Sequence, residues 1–299
     1  MEWIIYPMLG AAVAIAAISL LLQRRRAWVD AGRSLETSLA GCRSLLALTA
    51  HFQQHRGMSS AWLSGDKSFG GKLESKAREI DALFQALRPV ARSESGKPHP
   101  CLTPNDLALF QRRWEELREK LAGFSVEQSI AQHSFLIEQL LQWLAALGEA
   151  RLEPLVGDRC ARGMVRNYAS RLPALTECLG QARAVGMSVA TRQACSAVAR
   201  VRLMFLVARA EALLKQAAEG ELRGAKAESA TLAVQQMARL VRTRMLVSSG
   251  INVTVQEYFD VATQAVDAVF GLIAEHGRQL ADDGLNGPPG RPAGYAPSF

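Results

Sequence analysis

Apolar residues recur at steps of three and four through most of the chain, and no stretch alternates with a period of two. The sequence therefore predicts an all-α protein. Leu35, Leu39, Cys42, Leu45, Leu46, Thr49, Phe52, Met58 and Leu63 mark one long amphipathic helix with its end near Ser64-Gly65-Asp66. Leu73, Ile80, Leu83, Phe84 and Leu87 mark a second, expected to stop before Pro89, and residues 93–104, with three prolines and a glycine, read as a surface loop. Pro104-Asn105-Asp106 opens a third helix, and residues 126–152 give a fourth with Ile130, Leu136, Leu140, Trp143 and Leu147 on its apolar side. Four helices of this kind close one bundle. After Glu153-Pro154, Gly157 and a short basic stretch over 159–171, a second series of four is expected at about 174–190, 194–219, 225–249 and 253–280.

From Trp3 to Leu22 no residue is charged, long enough for the ~20 apolar positions that span a bilayer. Trp3 and Tyr6 lie at one edge and Arg24, Arg25 and Arg26 at the other, and basic flanks remain cytoplasmic. The expectation is a transmembrane helix over 1–26, in a single-pass inner-membrane protein whose body faces the cytoplasm. Two four-helix bundles, at about 30–152 and 172–282, then make up a body of 27–283. A Gly- and Pro-rich tail, 284–299, has too little bulk to pack and is expected to be disordered. Cys42, Cys101, Cys160, Cys178 and Cys195 are odd in number and contain no C-x-x-C pair, which suggests reduced thiols in place of a disulfide framework or zinc site.

Catalytic signals are scarce. There is no phosphate-binding glycine loop, dinucleotide fingerprint or nucleophile elbow. His51 and His55 lie one turn apart, but lack the glutamate of H-E-x-x-H, and two partly buried helix histidines are the better reading. An enzyme is not expected, nor any cofactor or metal. The net charge is +7, but Arg33, Arg43, Arg112, Arg113, Arg200, Arg202, Arg239 and Arg242 are scattered among acids, with no nucleic-acid module around them.

Gly-Met-Ser-x-Ala occurs twice, after Arg56 at Gly57 and after Arg183 at Gly186, each time in the first helix of its series. This suggests an internal pseudo-repeat. A helix-interior glycine costs about 1 kcal/mol relative to alanine, so close approach of another helix backbone is expected at both. Arg56, Arg183, Arg242 and Arg244 sit among small or apolar neighbours. Planar, forked guanidinium groups converging between helices make a receptor for a small oxyanion; the other reading is internal pairing with Asp or Glu across helices.

At these residues the sequence resembles the nitrate- and nitrite-sensing domain family, found in bacterial transcription antiterminators, chemoreceptors and sensor kinases. The resemblance lies in Leu48-x4-Gln53-x2-Arg56-Gly57-x2-Ser60-Ala61-x-Leu63, in Leu179-Gly180-x2-Arg183-x2-Gly186-x3-Ala190 and in Tyr258-Phe259-x2-Ala262-Thr263-x2-Val266-Asp267. It implies paired four-helix bundles and an anion site of Arg56, Arg183 and one of Arg242 or Arg244, with nitrate or nitrite as ligand. Members of the family signal through an output domain, and no such segment is readable here. The ligand-driven shift is therefore expected to reach an unidentified signalling partner or to act through a homodimer of the long first helix. The competing reading is a membrane-tethered helical scaffold that binds a partner and no ligand.

Overall fold

The computed structural model describes residues 2–156, 159–219, 222–247 and 250–286. Side chains are described from Ala16 onward, except at Trp28, Arg159, Cys160 and beyond Asp282. All regular elements among the described residues are helical, as the periodicity predicts. Helix α1 runs from Glu2 to Leu63, followed by α2 (Gly70–Ser95), α3 (Pro104–Lys120) and α4 (Val126–Leu147). Next come α5 (Arg159–Arg166), α6 (Leu172–Arg192), α7 (Ala197–Glu219), α8 (Ala225–Leu240) and α9 (Val255–Asn286).

The starts of α3 and α4 follow from local chemistry. Thr103 accepts from the Asp106 N–H while Asp106 reaches back to the Thr103 N–H, and Ser125 and Gln128 repeat the device at α4. Each capping box satisfies two of the donors that a helix start leaves open. Helix α1 contributes Leu35, Leu39, Cys42, Leu45, Leu48 and Phe52 to the interior, on the stripe expected from their spacing. It packs on α2 and α4, and α3 touches both of these. In the second half α6 packs on α7 and α9, and α8 on α7 and α9. Contacts of α1 with α6 and α9, and of α4 with α6, join the halves, and the buried apolar residues of both form one connected core.

Several expectations need correction. The membrane-spanning segment is not supported, because among the described residues no helix is long and apolar enough to cross a membrane. The side chains before Ala16 lie outside the described residues. Beyond Leu22, Gln23 and the three arginines continue the same helix, α1. The single-pass inner-membrane placement falls with the membrane-spanning segment. Helix α2 does not stop at Pro89 but runs through to Ser95, so the loop begins later than expected. Leu87 and Ala91, both fully buried, hold the helix on either side of the proline. Gln85, whose carbonyl loses its usual donor, is exposed to water.

The basic stretch after Gly157 is helical as well. Helix α5, a π turn over Asn167–Arg171 and α6 follow one another in helical backbone conformation, and the run ends where Gln193 adopts φ 48°. Two further π turns, Gly148–Leu152 and Val241–Met245, extend α4 and α8. Helix α9 continues to Asn286, three residues into the segment expected to be disordered; the rest of that tail lies outside the described residues. Cys42, Cys101, Cys178 and Cys195 are free thiols, and Cys160 lies outside the described side chains.

Candidate functional site

Helix α6 carries one acidic residue, Glu177, in the apolar run Leu-Pro-Ala-Leu-Thr-Glu-Cys-Leu-Gly. Its periodicity turns Glu177 inward to 7 % exposure, against Gln53 and Arg56 of α1. Arg56, 2 % exposed, donates to both carboxylate oxygens of Glu177 at 2.5 and 3.1 Å and to the Ser134 hydroxyl of α4 at 2.8 Å. The Nε2 groups of Gln53 and Gln181 add donors to the same carboxylate at 3.1 and 2.8 Å. Charge-assisted, forked hydrogen bonds of this kind satisfy a buried guanidinium that would otherwise be very costly. Gly180 permits the approach, since a Cβ there would lie 2.8 Å from Arg56 Nη2.

Arg183 lies nearly two turns further along α6 and is half-buried. It donates to the Thr263 hydroxyl of α9 at 3.3 Å, and no carboxylate stands at ion-pair distance from it among the described residues. Burial, followed by the nearby charge of Arg56, pushes its guanidinium down from the ordinary value, with Asp267 and Tyr258 opposing. Arg56 and Arg183 are therefore close enough to repel, and only the first is neutralised.

Arg242 and Arg244 are placed differently. Arg242 forms a two-pronged ion pair with Glu211 of α7. Arg244 pairs with Glu257 of α9 and donates from Nε to the Asn252 carbonyl at 2.6 Å. Both pairs are well exposed, and neither arginine hydrogen-bonds to the groups around Arg56 or Arg183. They fasten the π turn after α8 to its neighbours.

The two repeated glycines also diverge. Gly57 faces open space, so the close approach expected there is absent. Gly186 is approached by the Tyr258 ring, in place of the backbone that was expected: a Cβ would meet ring atoms at 2.1 Å. The Tyr258 hydroxyl, fully buried, donates to the Ala182 carbonyl at 2.7 Å and fixes α9 against α6 beside Arg183. Gly186→Ala is expected to cost about 1–3 kcal/mol by overpacking, measured by chemical unfolding, while Gly57→Ala, on an open helix face, is expected to be neutral or stabilising.

A second polar cluster adjoins the site. His133 Nδ1 lies 2.7 Å from the Ser129 carbonyl, which can only accept, so this nitrogen carries the proton and Nε2 accepts from His55 Nδ1 at 2.8 Å. Ser59 stands 3.2 Å from His55 Nδ1, and the Trp114 ring meets the His55 ring edge-on at 4.8 Å. Burial, then the charges of His133, Arg118 and Lys76, push His55 down to about 3. Burial and Arg56 push His133 down to about 4, against the Ser129 hydrogen bond. His51, the other member of the sequence pair, turns away to Lys76 and Glu79.

Among the described residues the fold is that of an all-helical domain. The chain belongs to the nitrate and nitrite sensing family, whose model matches residues 47–282, a span that holds Gln53, Arg56, Glu177, Arg183 and Thr263. Membership indicates a sensory or regulatory role in place of catalysis. Among solved structures the chain is similar to the structure of the NasR transcription antiterminator, at a TM-score of 0.67 and 20% identity. That likeness, over 91% of this chain and 76% of the other, is one of fold. No curated protein matches the chain.

Proposed function

We propose that the chain is a sensor module that binds nitrate, nitrite or a similar small oxyanion at Arg183, beside Arg56, where two four-helix bundles meet. The observation that carries this reading is Arg183 itself. It is a half-buried cation, held by one long hydrogen bond to a neutral hydroxyl and pressed by a second guanidinium. A planar oxyanion offers paired acceptors to the forked donors that Thr263 leaves free, and its charge relieves the repulsion from Arg56. Family membership supports this choice of ligand.

The signal follows from which helices the groups belong to. Arg56 links α1 and α4 to α6 through Ser134 and Glu177, and Arg183 links α6 to α9 through Thr263. An anion bound between them changes the relative stability of two packings of these helices by its differential affinity for each. A homodimer or a separate signalling protein then reads the change. Arg242 and Arg244, engaged with Glu211 and Glu257, hold the architecture in this account and do not contact the ligand.

A thermal-unfolding scan with nitrate, nitrite, chloride and sulfate at matched ionic strength tests the reading. Ligand at ~100 times Kd adds about 2.7 kcal/mol to the native state, a shift of several degrees. Nitrate or nitrite is expected to raise the midpoint in the wild type and not in Arg183→Ala, which stays folded because it loses one long hydrogen bond. Equal shifts with all four anions would instead make the arginines purely structural.

A further inference from the structure

We infer that Glu177 sets the charge selectivity of this site, restricting it to singly charged anions. The inference rests on the anion site proposed above. Arg56 and Glu177 meet between α1 and α6, and Arg183 follows on α6 one turn after Gly180, the residue that faces Arg56 Nη2, near enough to feel the Arg56 charge. Glu177 is spent on Arg56, with two guanidinium donors on its two oxygens and the amides of Gln53 and Gln181 on the same oxygens. Arg56 is engaged in turn, with Nη1 divided between Glu177 and Ser134 and Nη2 on Glu177, so its charge is matched by the carboxylate. The closed pair is neutral, so the cluster presents a single uncompensated positive charge, at Arg183. Asp267, one turn beyond Thr263 on α9 and exposed, adds negative potential on the solvent side.

A monoanion at Arg183 leaves this junction neutral. A dianion leaves it with a net negative charge beside the buried Glu177 carboxylate, where a second negative charge is poorly tolerated. Without Glu177, two unpaired guanidinium groups would face the ligand, an arrangement suited to sulfate or phosphate. The carboxylate therefore acts as a fixed internal counter-ion that removes one of the two positive charges from the reach of any ligand. Gln53 and Gln181 position it, and Gly180 provides the room.

The full-length protein is titrated with nitrate, and then with perchlorate and sulfate as competitors. These two are both tetrahedral and differ in charge, so shape cancels from the comparison. In the wild type perchlorate is expected to displace nitrate and sulfate to leave it bound; sulfate competing as well as perchlorate would overturn the inference without any variant. Glu177→Gln keeps the shape and removes one negative charge, leaving the Arg56 charge uncompensated. It is expected to raise the affinity for sulfate relative to nitrate about tenfold or more. An unchanged ratio in a folded Glu177→Gln protein would also overturn it. Each protein is compared with its own ligand-free baseline, because the substitution lowers stability. Absence of nitrate and nitrite binding to the wild type would remove the site itself, whereas binding without charge discrimination would remove only the role of Glu177.

Discussion

Replacing Arg56 with alanine is expected to lower stability by about 3–5 kcal/mol, far more than removal of any exposed arginine in the chain. The guanidinium is 2 % exposed and its partner Glu177 7 % exposed, so the substitution leaves a carboxylate in the interior with only the Gln53 and Gln181 amides for company. It also removes a donor to the half-buried Ser134 hydroxyl, a smaller loss because water reaches that side chain. The loss reflects the stranded partner more than the worth of the pair. Arg56→Met combined with Glu177→Leu, which removes both charges, is therefore expected to recover much of it. Urea unfolding of the two single variants and the double variant measures the coupling. A cost under 1 kcal/mol for Arg56→Ala, the size expected for Arg242→Ala at its exposed pair with Glu211, would mean that water reaches this junction freely.

Stability is also expected to fall steeply as the pH drops below about 6.5. His55 and His133 share one hydrogen-bonded cluster, and their native values lie near 3 and 4. An unfolded histidine takes up its proton near 6.5. Below that pH the unfolded state binds protons that the native state refuses, and each histidine removes about 1.4 kcal/mol per pH unit until its own native value is reached. The contribution is thus fully present above 6.5 and is lost as the pH falls from 6.5 to about 4 for His133 and to about 3 for His55. Glu94 adds to the loss at the lower end. Burial alone would raise it, but hydrogen bonds from Arg151, Lys97 and the Cys101 N–H hold it down to about 2, so its share disappears as the pH falls below the ordinary glutamate range. Between pH 6.5 and 4.5 the histidine terms reach several kcal/mol, a large part of the ~5–15 kcal/mol that holds a typical domain together. Denaturant midpoints across this range should show the slope, and His133→Gln should flatten it. A flat profile in the wild type would mean that the pair takes up protons without unfolding.

The helices were legible in the sequence wherever an apolar stripe ran uninterrupted. The buried face of α1 is the one its spacing marks, and the capped starts of α3 and α4 follow from Thr103 and Ser125. Legibility failed where tertiary packing overrode a local rule. Pro89 reads as a stop, but the buried Leu87 and Ala91 carry α2 past it, and residues 159–171 read as basic punctuation although they lead helically into α6. The uncharged N-terminal run, taken alone, meets the length requirement for a membrane span, whereas no described helix does.

At the site, Arg56 and Arg183 could be singled out because a charge among small residues needs a partner. What those partners are could not be read. Glu177 is 121 residues from Arg56, and His133 is 78 from His55, so only the packing of α1 on α6 and α4 brings them together. One signal for Glu177 was present, a single acid in an otherwise apolar helix start, and it follows the same reasoning that picked out the arginines. Arg242 and Arg244 stood out by the same rule, but α7 and α9 supply each with an acid at the surface.

The central claim, that Arg183 is a receptor for a small oxyanion, is tested most directly by titrating nitrate and nitrite calorimetrically into the full-length protein and into Arg183→Ala. Saturable heat in the wild type, absent from a variant that retains its helical content and cooperative unfolding, is the predicted result. Equal binding by the two proteins, or none by the wild type, would contradict it.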